Sequence, residues 1–172
     1  MLPIMYVYSR VKLFWDFSRV SFQLGKTEGL LTIVRGVPHN VSRLKKVYLP
    51  TSLLAESGIS TESLVRHNFD QDKLKKLVET IASVSDEHLN NSKFRSKFLS
   101  KDEKKVMLPA VAANRFMTRL SRAECDVYNT QLQARDSILP AVLYWNYIRG
   151  SYWNTFSIHY TYDLVQVGQW QH

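Results

Sequence analysis

Arg35 and, just downstream, Arg43, Lys45 and Lys46 are cations able to hold a phosphate. Other reactive groups are sparse. Cys125 is the sole cysteine, so the chain has neither an internal disulfide nor a CxxC pair, and a buried or incidental thiol is expected. His88 has no second histidine or acidic set to complete a metal site and reads as a core histidine. No Ser-His-Asp set is recognisable, and no glycine-rich phosphate loop follows a strand.

Arg35 needs a helix to position it. Leu24, Leu31 and Val34 recur at helical spacing, with Leu30 widening the stripe. Gly25 and Gly29 lie four apart, opening one helix face to close approach. Pro38 disfavours helix at Val37 and is expected to end it there. A basic loop and the run Val47-Tyr48-Leu49-Pro50 follow.

The stretch Gly25–Pro50 resembles the squalene/phytoene synthase family, the head-to-head isoprenoid synthases. There a helix carries Gly-x-Ala-x-Gln and then Arg-Asp-x-x-Glu-Asp, followed by a basic loop and Val-Tyr-Leu-Pro. Gly25, Arg35, Val47, Tyr48, Leu49 and Pro50 match, and Ser52–Ser60 continues the likeness. In the enzymes the carboxylates hold magnesium against the substrate diphosphate; here those positions read Gly36, His39 and Asn40. A closer resemblance is to the branch of mitochondrial complex I assembly factor six, with Gly25-Lys26-x-x-Gly29 before the arginine, Pro38 after it and Ser42-Arg43 in the loop.

The resemblance implies an all-α fold, a partial isoprenoid-synthase helical bundle of about five helices. It implies a non-catalytic assembly factor for mitochondrial respiratory complex I, with no metal and no cofactor. The partners would be complex I subunits or assembly intermediates, with no nucleic acid. The place would be the matrix side of the inner membrane, held peripherally. The alternatives are a prenyltransferase of the squalene/phytoene synthase type and a phosphate- or lipid-binding module. By the same resemblance Arg35 and Tyr48 would line a ligand pocket.

Three stretches are expected. Residues 1–24 are an atypical N-terminal segment, either a presequence, being basic and acid-poor with Asp16 alone, or the preceding helix of the fold. Residues 25–149 match the C-terminal half of the family domain, as a truncated isoform or incomplete gene model would. Residues 150–172 form an aromatic tail with Tyr152, Trp153, Phe156, Tyr160 and Tyr162, and Phe156–Tyr162 could be extended. With half of a fold, apolar patches from Leu31, Val34 or Leu143–Tyr147 should be exposed.

Within residues 25–149 the helices are read from caps and stripes. Ser60 could cap a short helix at Thr61–His67. Asp70 or Asp72 starts a long helix to about Phe98, with Leu74, Leu77, Val78, Ile81, Ser85, His88 and Leu89 on one face. Ser100–Lys105 reads as a charged linker. Pro109 opens a helix to about Ala123 carrying Ala112, Ala113, Phe116, Met117 and Leu120. Cys125–Asp136 reads as a loop, and Ser137–Arg149 as the last helix.

Composition bounds the rest. The 172 residues, 45% hydrophobic and 22% charged, suit one globular domain. Net charge is +8, from 23 Lys+Arg against 15 Asp+Glu. That favours an anionic surface or acidic partners, and no nucleic-acid motif accompanies it. The longest apolar run, Ile138–Trp145, has eight residues, well short of the ~20 that span a bilayer.

Overall fold

The structure, a computed structural model, describes residues 2–153, with side chains from residue 15 onward. Among these residues all regular structure is helical. Helix α1, Leu2–His39, is the spine. It runs unbroken through residue 25, and its C-terminal half buries Val20, Leu24, Thr27, Leu31, Val34 and Val37, a stripe at spacings of three and four.

Pro38 does not end this helix where expected. Helix α1 continues to His39 and widens into a π-helical turn at Asn40–Leu44, which stops at Lys45 in the left-handed conformation. The reason is packing: Val41 extends the buried stripe of Val34 and Val37, so the core holds the helix past its proline. A π turn is one way a helix accommodates such a local insult.

The chain then makes helices α2, Thr51–Glu56, and α3, Thr61–Val65, the latter capped by the Ser60 hydroxyl accepting from the Ser63 N–H at 3.0 Å. Helix α4, Gln71–Arg95, starts at Asp70, whose carboxylate accepts from the Asp72 N–H at 2.9 Å. It buries Leu74, Leu77, Val78, Ile81, Ser85 and Leu89 as anticipated, with His88 half-buried beside them. It ends at Arg95, and a 3-10 turn, Ser96–Phe98, takes the remainder.

Among the described residues the most extensive helix pairing is that of α1 with α4. The Thr27 hydroxyl donates to the Ser85 carbonyl at 3.2 Å and the Ser92 hydroxyl to the Val20 carbonyl at 3.1 Å. Going down seven residues on one helix means going up seven on the other, so the two run antiparallel.

Ser100–Lys105 is not a linker. It holds helix α5, Lys101–Lys104, with a capping box between Ser100 and Glu103, and then a 3-10 turn, Lys105–Met107. Helix α6, Pro109–Arg122, buries Ala110, Val111, Ala113, Phe116, Met117 and Leu120 and packs against α1. The expected loop after Cys125 carries helix α7, Thr130–Gln133. Helix α8, Leu139–Arg149, lies against α6 and ends at Gly150 with φ +62°, where a residue with a side chain would be strained.

The expected exposed patches divide. Leu31 and Val34 are fully buried, because α4 and α6 cover that face of α1. On α8, Tyr144, Trp145 and Tyr147 are exposed as anticipated, whereas Asn146 turns inward. Gly25 and Gly29 do share a face, but a Cβ at either would meet nothing within 4 Å among the described residues, so no helix uses the close approach they offer. Tyr152 is buried. Phe156, Tyr160, Tyr162 and the extended reading of Phe156–Tyr162 lie outside the described residues. No described helix is long and apolar enough to cross a membrane.

Candidate functional site

A cavity of about 400 Å³ opens between α1, α6 and the segment from Leu132 to Pro140. Four arginines line it: Arg35 from α1, Arg115 and Arg119 from α6, and Arg135 from the loop before α8. Arg115 and Arg119 are four apart on α6 and therefore share a face. Phe116, buried on the same helix, gives the cavity its apolar wall.

Two of the four cations hold the walls together. Arg115 makes a forked pair with Asp136, Nε to Oδ2 at 3.0 Å and Nη2 to Oδ1 at 3.1 Å. Arg119 donates to the carbonyls of Gln131, Leu132 and Ala134, closing the end of α7 onto α6. Arg35 lays its guanidinium over the Phe116 ring, 4.4 Å from the centroid. That stacking orients an exposed cation without neutralising it. Arg35 and Arg135 are thus the cations toward which an anion would be drawn.

Glu28 lies on α1 two turns before Arg35. Burial pushes its carboxyl above the ordinary glutamate value of 4.5, and the positive field of Arg35 offsets this in part.

Sequence reasoning put Arg35 and Tyr48 in one pocket. Arg35 lines the cavity; Tyr48 is not among its lining residues and is exposed beyond the π turn. Arg115, Arg119, Arg135 and Asp136 were missed. The spacing of Arg115 and Arg119 was a usable signal. Pairing Arg115 with a carboxylate 21 residues away required the fold.

Gly36, His39 and Asn40 form one cluster at the end of α1. A Cβ built on Gly36 would come within 2.8 Å of the Asn40 Nδ2. Asn40 therefore fills the space into which a side chain at position 36 would grow. His39 is exposed. No carboxylate belongs to this set, so its donors do not fit magnesium. Among the described residues no group of three or more His, Cys, Asp or Glu could hold a metal ion.

A second cavity, about 440 Å³, lies between α4 and α6 and is lined by Lys75, Lys76, Glu79, Glu124 and Cys125, of mixed sign. Burial and the nearby Glu79 raise the Cys125 thiol above its ordinary pKa. A thiol so placed is a poor nucleophile.

Comparison with known proteins adds the following. The family model described as squalene/phytoene synthase matches residues 1–139. A human protein named NADH dehydrogenase (ubiquinone) complex I, assembly factor 6, is 29% identical over 121 residues, covering 70% of this chain and 36% of the relative. A Drosophila melanogaster homolog of that factor is 29% identical over 122 residues, 71% of this chain and 36% of the relative. One from Dictyostelium discoideum is 28% identical over 132 residues, 76% of this chain and 36% of the relative. The chain thus spans little more than a third of the length of the curated relatives it matches. No solved structure matches.

Proposed function

The chain belongs to the squalene/phytoene synthase family, and we propose that within it the chain is a non-catalytic assembly factor for mitochondrial respiratory complex I. The observation that carries this reading is the cluster Gly36, His39 and Asn40. Diphosphate ionisation puts negative charge on the leaving group, which the family's metal ions stabilise. A helix that keeps Arg35 but offers glycine, histidine and asparagine downstream gives those ions no carboxylate. Asn40 filling the space beside Gly36 supports a surface committed to packing rather than to a metal. The names of the human and fly relatives support the assembly role.

The partners in this reading are complex I subunits or assembly intermediates, not nucleic acid. The protein works in the mitochondrion, on the matrix side of the inner membrane, attached peripherally. A net charge of +8 and the lack of a described helix able to cross a bilayer support this attachment. In this reading the matched residues 1–139, of which residues 2–24 are continuous with the rest of helix α1, act as one part of the family domain.

The test is blue-native electrophoresis of mitochondria from cells lacking the protein. Assembled complex I should fall and return on re-expression. Normal complex I in those cells would overturn the reading.

The arginine cavity favours a second reading, an anionic ligand such as a phosphate ester held by Arg35. Inorganic pyrophosphate, titrated calorimetrically, should bind the wild-type chain and not Arg35→Ala. Heat of binding that survives the substitution would refute it.

A further inference from the structure

The stretch from residue 92 to residue 105 inverts the usual order of burial. Ser92 and Ser96 turn inward and are buried, while Phe94 and Phe98 turn outward and are 63% and 65% exposed. Large apolar side chains ordinarily take the inward places and serines the outward ones. The inversion is fixed by hydrogen bonds and packing. Ser92 is tied to the Val20 carbonyl, the Ser96 hydroxyl donates to the Lys93 carbonyl at 2.7 Å, and Leu99 is buried just beyond. The phenylalanines therefore stand on hydrogen-bonded helical backbone rather than on a loop.

Charge surrounds them. The stretch carries Lys93, Arg95, Lys97, Lys101, Lys104 and Lys105 against Asp102 and Glu103, a net +4 that is half the charge of the whole chain. The two acids are engaged locally: Glu103 in the capping box with Ser100, and Asp102 with Lys105 at 2.7 Å. The cations flanking the two rings, Lys93, Arg95 and Lys97, are exposed.

We infer that this surface docks the protein on an anionic lipid bilayer, with Phe94 and Phe98 entering the interface and the surrounding cations meeting lipid phosphates. The inference rests on the peripheral attachment proposed above and assigns it a place. Exposed aromatics flanked along the chain by exposed lysine and arginine combine both terms of interfacial binding, buried apolar area and attraction to anionic headgroups. Nucleic acid fits less well. The Phe94 and Phe98 rings meet edge to face, centroids 6.5 Å apart at 81°, and the Lys97 ammonium sits 5.3 Å from the Phe94 centroid. They present no pair of open parallel faces on which successive bases could stack.

The test is flotation of the full chain with vesicles of phosphatidylcholine alone and of phosphatidylcholine mixed with phosphatidylserine. Circular dichroism confirms that each variant is folded. The wild type should float with the anionic vesicles, less so as salt is raised. Phe94→Gln/Phe98→Gln should lower the partition coefficient ~10-fold or more. Lys93→Gln/Lys97→Gln should lower it about fivefold per cation. Tyr144→Gln/Trp145→Gln on α8, equally exposed and aromatic, should leave it unchanged. Wild-type binding that survives both sets at 93–98, or is lost only with the α8 pair, would overturn this assignment while leaving peripheral attachment intact. No binding to either vesicle would overturn both. In that case, binding to a mixed-sequence single-stranded RNA, or a dimer on gel filtration, that the phenylalanine variant abolishes would assign the surface to that partner instead.

Discussion

Gly36→Ala tests whether the altered cluster at the end of α1 is packed as one unit. In a helix interior this change gains about 1 kcal/mol from lost unfolded-state freedom and better propensity. Here the new methyl would sit 2.8 Å from Asn40 Nδ2 and 3.7 Å from its Cγ. Asn40 must turn aside, and a side chain forced off its rotamer costs ~0.5–1.5 kcal/mol. The two effects nearly cancel, so Gly36→Ala alone should leave stability about unchanged. In an Asn40→Ala background the obstruction is gone and the full gain of about 1 kcal/mol should appear. For a chain of this size that is ~2–4 °C in Tm. The assay is thermal unfolding of the four proteins of a double-mutant cycle, with a coupling of roughly 1 kcal/mol expected. A single variant that gains the full amount, with no coupling to Asn40, would refute the steric argument. The cycle matters for function because an aspartate at position 36 would meet the same side chain before it could reach a metal.

Three further outcomes follow from the packing and the charges. Glu28→Gln should raise Tm at neutral pH. The folded carboxyl titrates above 4.5, so its penalty is full above that raised value and disappears as pH falls below 4.5. The difference between variant and wild type should therefore close on acidification, and a pH-independent difference would contradict the burial account. Asp136→Ala strands the Arg115 guanidinium and should cost ~1.5–3 kcal/mol in urea unfolding. Replacing both with apolar residues, Arg115→Met/Asp136→Leu, should cost less than the single change. Leu31→Ala opens a void at the fully buried seam of α1 with α4 and should cost ~2–5 kcal/mol, read from the urea midpoint.

The sequence was legible where local chemistry decided the outcome. Ser60, Asp70 and Pro109 mark helix starts because each satisfies, or lacks, an orphan backbone donor at its own position. The stripes of α1 and α4 were readable because burial follows a 3.6-residue period. Legibility failed where distant packing outvoted a local rule. Pro38 should have stopped α1, but Val37 and Val41 are both needed in the core, and the helix widened instead. The turn at Ser100 carries its own local signal: Ser100 followed by Glu103 is a capping-box spacing, set among charges that read as a linker. For the candidate site, Arg35 was identified from its place in the family pattern. The partners that define its cavity come from α6 and from Asp136, and nothing in their spacing relates them to Arg35. Tyr48 shows the converse, a matched residue that the fold carries away from the cavity.

The proposed non-catalytic role meets its plainest test when the purified chain is incubated with farnesyl diphosphate and magnesium and released pyrophosphate is measured. With Gly36, His39 and Asn40 in place of the metal-binding carboxylates, release should not exceed that of a protein-free control. Magnesium-dependent release that scales with protein concentration would contradict the account.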